Sequence, residues 1–406
     1  MKLCLVNLDY PPFRTAGLGV VGEQLAAGMV ARGHQVTVVT ARREARAALC
    51  ETVDEVAIVR LPYGRTDWIG FGWQAGRWLV GGDASRRGNA LPGRLYDVVH
   101  FLEARFAWAA PRPYVTSLFQ SFRQSAAADG CWPYHSTWRN LLFRTAYYRT
   151  AQWTLERRGA RRARGWLPAS EAAAEEFAQA YGLPRAAMEV IPLGLDLARF
   201  QPRPAEAARL RARLGLTERR VLFGVGFATP RKGLEYLAAA LPSLPDDLCL
   251  LLAGRWEHGY RAKVLAAAGA AASRIIEAGY VPDGDLPAYY TLADLYVTPS
   301  LLEGFAYTPA EALACGTPVV ATTAGSLPET VGPGGLLVPP RDSGALAEAI
   351  NDLLADPARR QALGAAGRAH VQARFSLDRM LDGYEGAYCR FATHGRILNH
   401  KDRTQR

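Results

Sequence analysis

The chain has 406 residues, 49% hydrophobic and 21% charged, with a net charge of +10. That composition excludes global disorder, and the length suits two or three domains that need no disulfide or metal staple. No apolar run reaches the ~18 residues of a spanning helix, so none is expected.

In chain order the pattern is strand, helix, strand, helix. Residues 2–8 read as a buried strand, too short and too soon polar for a signal peptide. Gly17–Arg32 has helical spacing and stops at Gly33-His34. Strands are expected at 35–40, 56–61, 98–102, 114–119, 166–169 and 190–192, and Trp68, Trp73 and Trp78 fall in a Gly-rich loop region. After Pro192 the pattern restarts. Strands 221–225, 248–253, 275–280, 295–298 and 318–322 follow, with helices between, one opening near Gly233. A last helix is expected over Ser376–Phe391, then a loose basic tail. Alternating strands and helices imply parallel sheets with right-handed crossovers. The fold class is therefore α/β, with two doubly wound Rossmann-like domains facing a central cleft. The boundaries are 1–192, 193–373, and 374–406 for a return helix and tail.

Six cysteines lie far apart with no C-x-x-C, which points to reduced thiols, a cytoplasmic setting and no zinc site. Residues 1–190 hold 24 Lys and Arg against 16 Asp and Glu; the remainder holds 24 against 22. The first half is therefore expected to meet anionic partners. Residues 138–164 concentrate this charge, with eight arginines, one acid and interleaved Trp and Tyr. They suit either a weak peripheral contact with an anionic membrane or a helix with a solvated basic face.

Four stretches carry chemistry. Gly17-Leu18-Gly19-Val20-Val21-Gly22 is a G-x-G-x-x-G, but it starts eight residues past the strand. No acid stands at the end of the second strand, as a dinucleotide site requires. What remains is a Gly-rich helix opening whose amides favour an anion. Gly226–Gly233 places Arg231 and Lys232 beside a helix start, suited to a diphosphate that gains charge on leaving. In Glu303–Glu311, Thr308 reads as an N-cap with Pro309 at the first helical position. Thr308-x-x-Glu311 is also formally a capping box. Asp283-Gly284-Asp285 has D-x-D metal spacing, yet lies between Pro282 and Pro287 and reads as a turn. A dehydrogenase and a basic nucleic-acid-binding protein are the other classes considered; no nucleic-acid motif supports the second.

Together these residues resemble the family 4 retaining glycosyltransferases of the GT-B fold. The E-x7-E element stands as Glu303 and Glu311 within PSLLEGFAYTPAEALACGTPVVAT, followed by Gly325-Ser326-Leu327-Pro328-Glu329. Ile191–Asp196 is similar to the interdomain signature, and ARGHQVTVVT to an amino-terminal one. The resemblance implies transfer of a sugar from a UDP- or GDP-linked donor to an acceptor hydroxyl of unknown identity, and no nucleic-acid partner. It implies Glu303, Lys232 and Arg231 as the catalytic groups. Glu311 would hold the ribose. Glu303 and the backbone of Gly304, Phe305, Ala306 and Tyr307, with Thr308, would hold the donor sugar. Gly17 and Gly19 would assist the diphosphate, and Val281 would lie near the base. No metal and no cofactor is required. Three departures stand out: Phe227 for an arginine, Ala306 for a glycine, and Gln120 where a histidine is usual.

Overall fold

Short apolar strands bounded by turns assemble into two parallel sheets. The computed structural model describes residues 1–13, 17–44, 46–63, 68–81, 96–123, 142, 146, 150 and 153–401. The chain divides into two compact units, with sequence boundaries that include Gly194/Leu195 and Ser376/Leu377.

The first unit carries β1 (Lys2–Val6), β2 (Gln35–Arg42), β3 (Cys50–Val53), β4 (Val56–Pro62), β5 (Val98–Phe101), β6 (Val115–Leu118) and β7 (Gly165–Pro168). Their order is β3-β4-β2-β1-β5-β6-β7. All pairs are parallel except β3–β4. Its helices are α1 (Gly17–Ala31), α2 (Trp68–Val80), α3 (Trp153–Arg162) and α4 (Glu171–Tyr181). The second unit carries β8 (Arg220–Val225), β9 (Leu248–Ala253), β10 (Ile275–Gly279), β11 (Leu295–Thr298), β12 (Val319–Thr322) and β13 (Gly335–Val338). They run β10-β9-β8-β11-β12-β13, all parallel. Its helices are α5 (Pro204–Arg213), α6 (Leu234–Ala240), α7 (Tyr260–Ala268), α8 (Leu286–Leu292), α9 (Tyr307–Ala314), α10 (Leu327–Val331), α11 (Ser343–Ala355) and α12 (Pro357–Arg374). All six residues of β9 are buried, because helices cover both faces of a parallel sheet. Each order reverses once, between β1 and β5 and between β8 and β11, and ligand crevices form at such switch points.

Several expectations need correction. β3 and β13 were not legible. The β3–β4 hairpin turns on Asp54 and Glu55 at positive φ, without the Asn-Gly or Asp-Gly signal that usually marks such a turn. Residues 190–192 form no strand; Ile191 N donates to Pro168 O at 2.9 Å, and isolated bridges on either side join Trp166 to Met188 and Leu195 to Ser376. The three tryptophans belong to α2, not to a loop. Gly72 and Gly76 let that helix press on the backbone of Phe106 and Ala109, which a Cβ would meet at 2.9 and 2.5 Å.

The last helix, α13 (Leu377–Lys401), passes the expected end at Phe391, and the expected loose tail is helical to Lys401. No proline follows to stop it, and extending a formed helix is cheap. α13 belongs to the first unit. Tyr388 hydroxyl lies 2.7 Å from His100 Nδ1, and Ser117 Oγ lies 2.9 Å from His100 Nε2 and 3.0 Å from Tyr384 hydroxyl. Burial pushes His100 down to about 3, so this core network is neutral. Arg32 on the end of α1 pairs with Asp382 and Glu385, both at 2.7 Å.

Glu156 on α3 is buried. It accepts from Phe122 N at 2.8 Å and from the Tyr181 hydroxyl. Burial raises its pKa from 4.5 to about 8, against the pull of those hydrogen bonds. The folded state thus holds a proton that the unfolded chain has released. Its contribution is complete below about pH 4.5 and is lost as pH rises to about 8. Urea unfolding at pH 5 and pH 8.5 should show a loss on the order of 3 kcal/mol. Glu156→Gln should flatten that part of the slope; an unchanged slope would refute the assignment.

Candidate functional site

The switch point of the second sheet brings together the loops after β8 and β11. Their backbones are stitched: Leu301 N donates to Arg231 O at 2.8 Å, and Arg231 Nη1 to Leu302 O at 3.3 Å. Gly233 makes this approach possible. Its φ is +63°, and a Cβ there would sit 2.2 Å from Pro299 O. The stitching sets Arg231 and Lys232, on a 3-10 turn before α6, against Glu303.

Lys232 Nζ donates to Glu303 Oε1 at 2.6 Å, and Ser300 Oγ to the same oxygen at 2.8 Å. Arg231 Nη1 lies 3.5 Å from Glu303 Oε2. Burial pushes Glu303 up, but Lys232, Arg231 and the two hydrogen bonds outweigh it and hold the carboxyl below its ordinary range. Glu303 is therefore an ionised, buried carboxylate between two cations, a strong acceptor for hydroxyl groups. Gly325, at φ +55°, lies so close that a Cβ would meet Glu303 O at 2.0 Å.

Glu311 has separate partners. α9 starts at Tyr307 with Ala306 at the N-cap and no side-chain cap. This corrects the expected Thr308 cap and the capping box. Thr308 instead lies near the Tyr296 hydroxyl, and Glu311 accepts from the Tyr290 hydroxyl at 2.5 Å. Burial raises Glu311 to about 7; Tyr290 and Arg199 oppose the rise and Asp283 adds to it. Ala306 is buried at φ −100°, so its methyl group is tolerated without strain.

The remaining expected residues are distributed as follows. Gly304 and Phe305 lead into α9, and the Phe305 ring meets Tyr307 edge-on at 5.1 Å. Val281 is buried just past β10, beside the exposed Tyr280, over which Arg255 sits at 5.8 Å. Asp283 and Asp285 form a turn, with Asp283 3.3 Å from Arg199. Among the described residues no group of acidic, His or Cys side chains could hold a metal ion. A pocket at the end of β8 is lined by Gly226, Phe227, Lys232, Trp256 and Pro299 among others, with Phe227 exposed. Gly17 and Gly19 lie in the first unit, inside the first turn of α1. Gln120 follows β6 directly. Of residues 138–164, most of 138–152 lies outside the described residues; α3 carries Arg157, Arg158, Arg161 and Arg162.

Ser300, Tyr290, Arg199 and Gly325 were not assigned from sequence. Ser300 had a signal, since it sits three residues before Glu303 at a strand end. Tyr290 and Arg199 had none, because they reach Glu311 only through the fold.

Two family models match in tandem: "Glycosyltransferase Family 4" over residues 15–199 and "Glycosyl transferases group 1" over residues 207–370. A GDP-mannose-dependent alpha-(1-6)-phosphatidylinositol monomannoside mannosyltransferase of Mycolicibacterium smegmatis is 38% identical over 204 residues, 47% of this chain and 53% of the relative. The chain thus spans about half the length of this and the other phosphatidylinositol monomannoside mannosyltransferases it matches. Sucrose-phosphate synthase of Thermosynechococcus elongatus shares the fold, with a TM-score of 0.77 at 24% identity over 97% of this chain and 99% of that one. HepE of Anabaena, solved with UDP-glucose, has a TM-score of 0.69 at 20% identity over 95% and 99%. With the second sheet in 3-2-1-4-5-6 order, the E-x7-E carboxylates placed at its switch point, and both family models matched in tandem along the sequence, the chain belongs to glycosyltransferase family 4.

Proposed function

We propose that the protein is a retaining glycosyltransferase that moves a sugar from a nucleoside diphosphate sugar to an acceptor hydroxyl. The observation that carries this is the Lys232–Glu303–Ser300 cluster at the second switch point. A buried carboxylate that binds hydroxyls stands there beside two cations that can receive a diphosphate. Lys232 uses one of its three N–H groups on Glu303, leaving the others for phosphate oxygens. As the sugar–phosphate bond breaks, Lys232 and Arg231 stabilise the charge gathering on the leaving diphosphate. Glu303 holds the sugar hydroxyls, and the acceptor oxygen attacks on the face the diphosphate leaves. Glu311, away from these cations, holds the ribose. The two cations take the charge that a metal would otherwise carry, so no metal is needed.

GDP-mannose is the first donor to test, because the Mycolicibacterium smegmatis relative is named for it. Acceptor-free hydrolysis of a panel of GDP- and UDP-sugars is expected to single out one donor, with a rate unchanged in excess EDTA. No turnover with any donor would overturn the reading. A rate lost in EDTA and restored by a divalent ion would overturn its metal-free part.

No described helix is long and apolar enough to cross a membrane. A weak contact of the first half with an anionic bilayer is supported by its excess of basic residues. Co-sedimentation with anionic but not neutral vesicles, lost at high salt, is the expected result.

A further inference from the structure

The donor chemistry leaves the turn after β10 and the segment before α5 without a task, yet both act on Glu311. The N–H groups of Ala198 and Arg199, in that segment, donate to Asp196 Oδ1, both at 3.1 Å. The Arg199 side chain then reaches the turn. Its Nε and Nη2 donate to Asp283 O at 3.3 and 3.0 Å, and Nη2 lies 3.3 Å from Asp283 Oδ2. The same guanidinium lies 4.8 Å from the ring of Phe200. Phe200 is buried and meets Tyr290 of α8 edge-on at 6.3 Å, and the Tyr290 hydroxyl donates to Glu311 Oε2 at 2.5 Å. Asp283, Arg199, Phe200 and Tyr290 thus form one connected set of contacts that ends on the Glu311 carboxyl.

The Tyr290 ring is packed by Phe200, Phe223 and Tyr296, so its hydroxyl has little freedom. Its hydrogen bond fixes Oε2 and leaves Oε1 for a ligand. Arg199 and Asp283 carry opposite charges and act on Glu311 with opposite signs. The guanidinium favours the ionised carboxyl, and the Asp283 carboxylate disfavours it. The other titratable groups that interact with Glu311 are Tyr296 of β11 and Cys315, just past α9; burial holds the proton on both. We propose that Tyr290, Arg199 and Asp283 are positioning residues for Glu311, the first fixing the carboxylate so that Oε1 meets the ribose and the other two governing the charge it presents. The ribose rests on the glycosyltransferase reading; the hold on Glu311 does not.

GDP affinity of the full chain, measured by calorimetry from about pH 5.5 to 8.5, tests this with Tyr290→Phe, Arg199→Gln and Asp283→Asn. Each profile is read as its displacement from the parent's, so the titration of GDP itself cancels. Tyr290→Phe and Arg199→Gln should move the rise in affinity up by about half a pH unit, weakening binding about threefold below it. Asp283→Asn should move it down by a similar amount, since the backbone oxygen that holds Arg199 is kept. Arg199→Lys, which keeps the charge, should restore the parent profile. A mere clamp between turn and segment would give both partners of one ion pair the same effect. Urea unfolding without nucleotide, at about pH 5 and pH 8.5, is the second readout. The raised Glu311 carboxyl loses stability as pH climbs to about 7; Arg199→Gln should enlarge that loss and Asp283→Asn reduce it. The proposal is overturned if these two variants act in the same direction, if neither GDP binding nor unfolding tells them apart, or if opposite displacements persist in a Glu311→Ala background. Opposite effects on unfolding alone, with GDP binding untouched, overturn the ribose role of Glu311 and leave its control by Arg199 and Asp283 standing.

Discussion

Replacing Glu311 with alanine is expected to weaken nucleoside diphosphate binding about 30-fold, or ~2 kcal/mol, the size of a lost hydrogen bond to a charged group. Glu311 is not spent on a helix cap, since α9 begins without one. Its recorded hydrogen-bond donor is the Tyr290 hydroxyl, which leaves acceptor capacity for ribose. The pH dependence gives a second readout. Burial raises this carboxyl to about 7, and the ionised form is the better acceptor. Affinity of the parent should therefore rise as pH increases from about 6 to 8, and that rise should be absent in Glu311→Ala. Calorimetry with GDP and UDP at both pH values measures this. Unchanged affinity in the variant would remove the ribose role.

Glu303→Ala is expected to act on turnover instead, lowering it about 100-fold with nucleotide affinity changed by less than about threefold. The carboxylate faces Lys232 and Ser300; in the proposed reading it holds the sugar, whereas the nucleotide relies on Glu311 and the cations. Lys232→Ala is the less clean experiment. It leaves Glu303 buried with the Ser300 hydrogen bond and, as its one cation, Arg231 at 3.5 Å, and removing one partner of a buried pair costs about 3 kcal/mol or more of stability. Single-turnover rates with saturating donor, alongside calorimetry, separate the roles. If affinity falls as far as turnover, Glu303 is a binding residue and the division of labour between the two glutamates is wrong.

The sequence by itself determined the two parallel sheets, most of their strands and the E-x7-E element. Buried parallel strands must be short apolar runs, and Gly, Pro and Asp must punctuate them. It also placed Arg231 and Lys232 at a helix opening, because charge beside a glycine turn is a local feature. The tertiary structure alone decided the rest. Thr308-x-x-Glu311 spells a capping box, yet α9 starts two residues earlier, at Tyr307, and Tyr290, 21 residues away, takes Glu311 instead. Lys232 and Glu303 are 71 residues apart and meet only because β8 and β11 are neighbours at the reversal of strand order. The summed charge of the first half did not show that Asp9 pairs with Arg43, and Glu103 with Arg105, just past β1, β2 and β5. Composition sums charge over a whole chain, whereas a ligand meets only the few charges that the strand order gathers at one sheet's end.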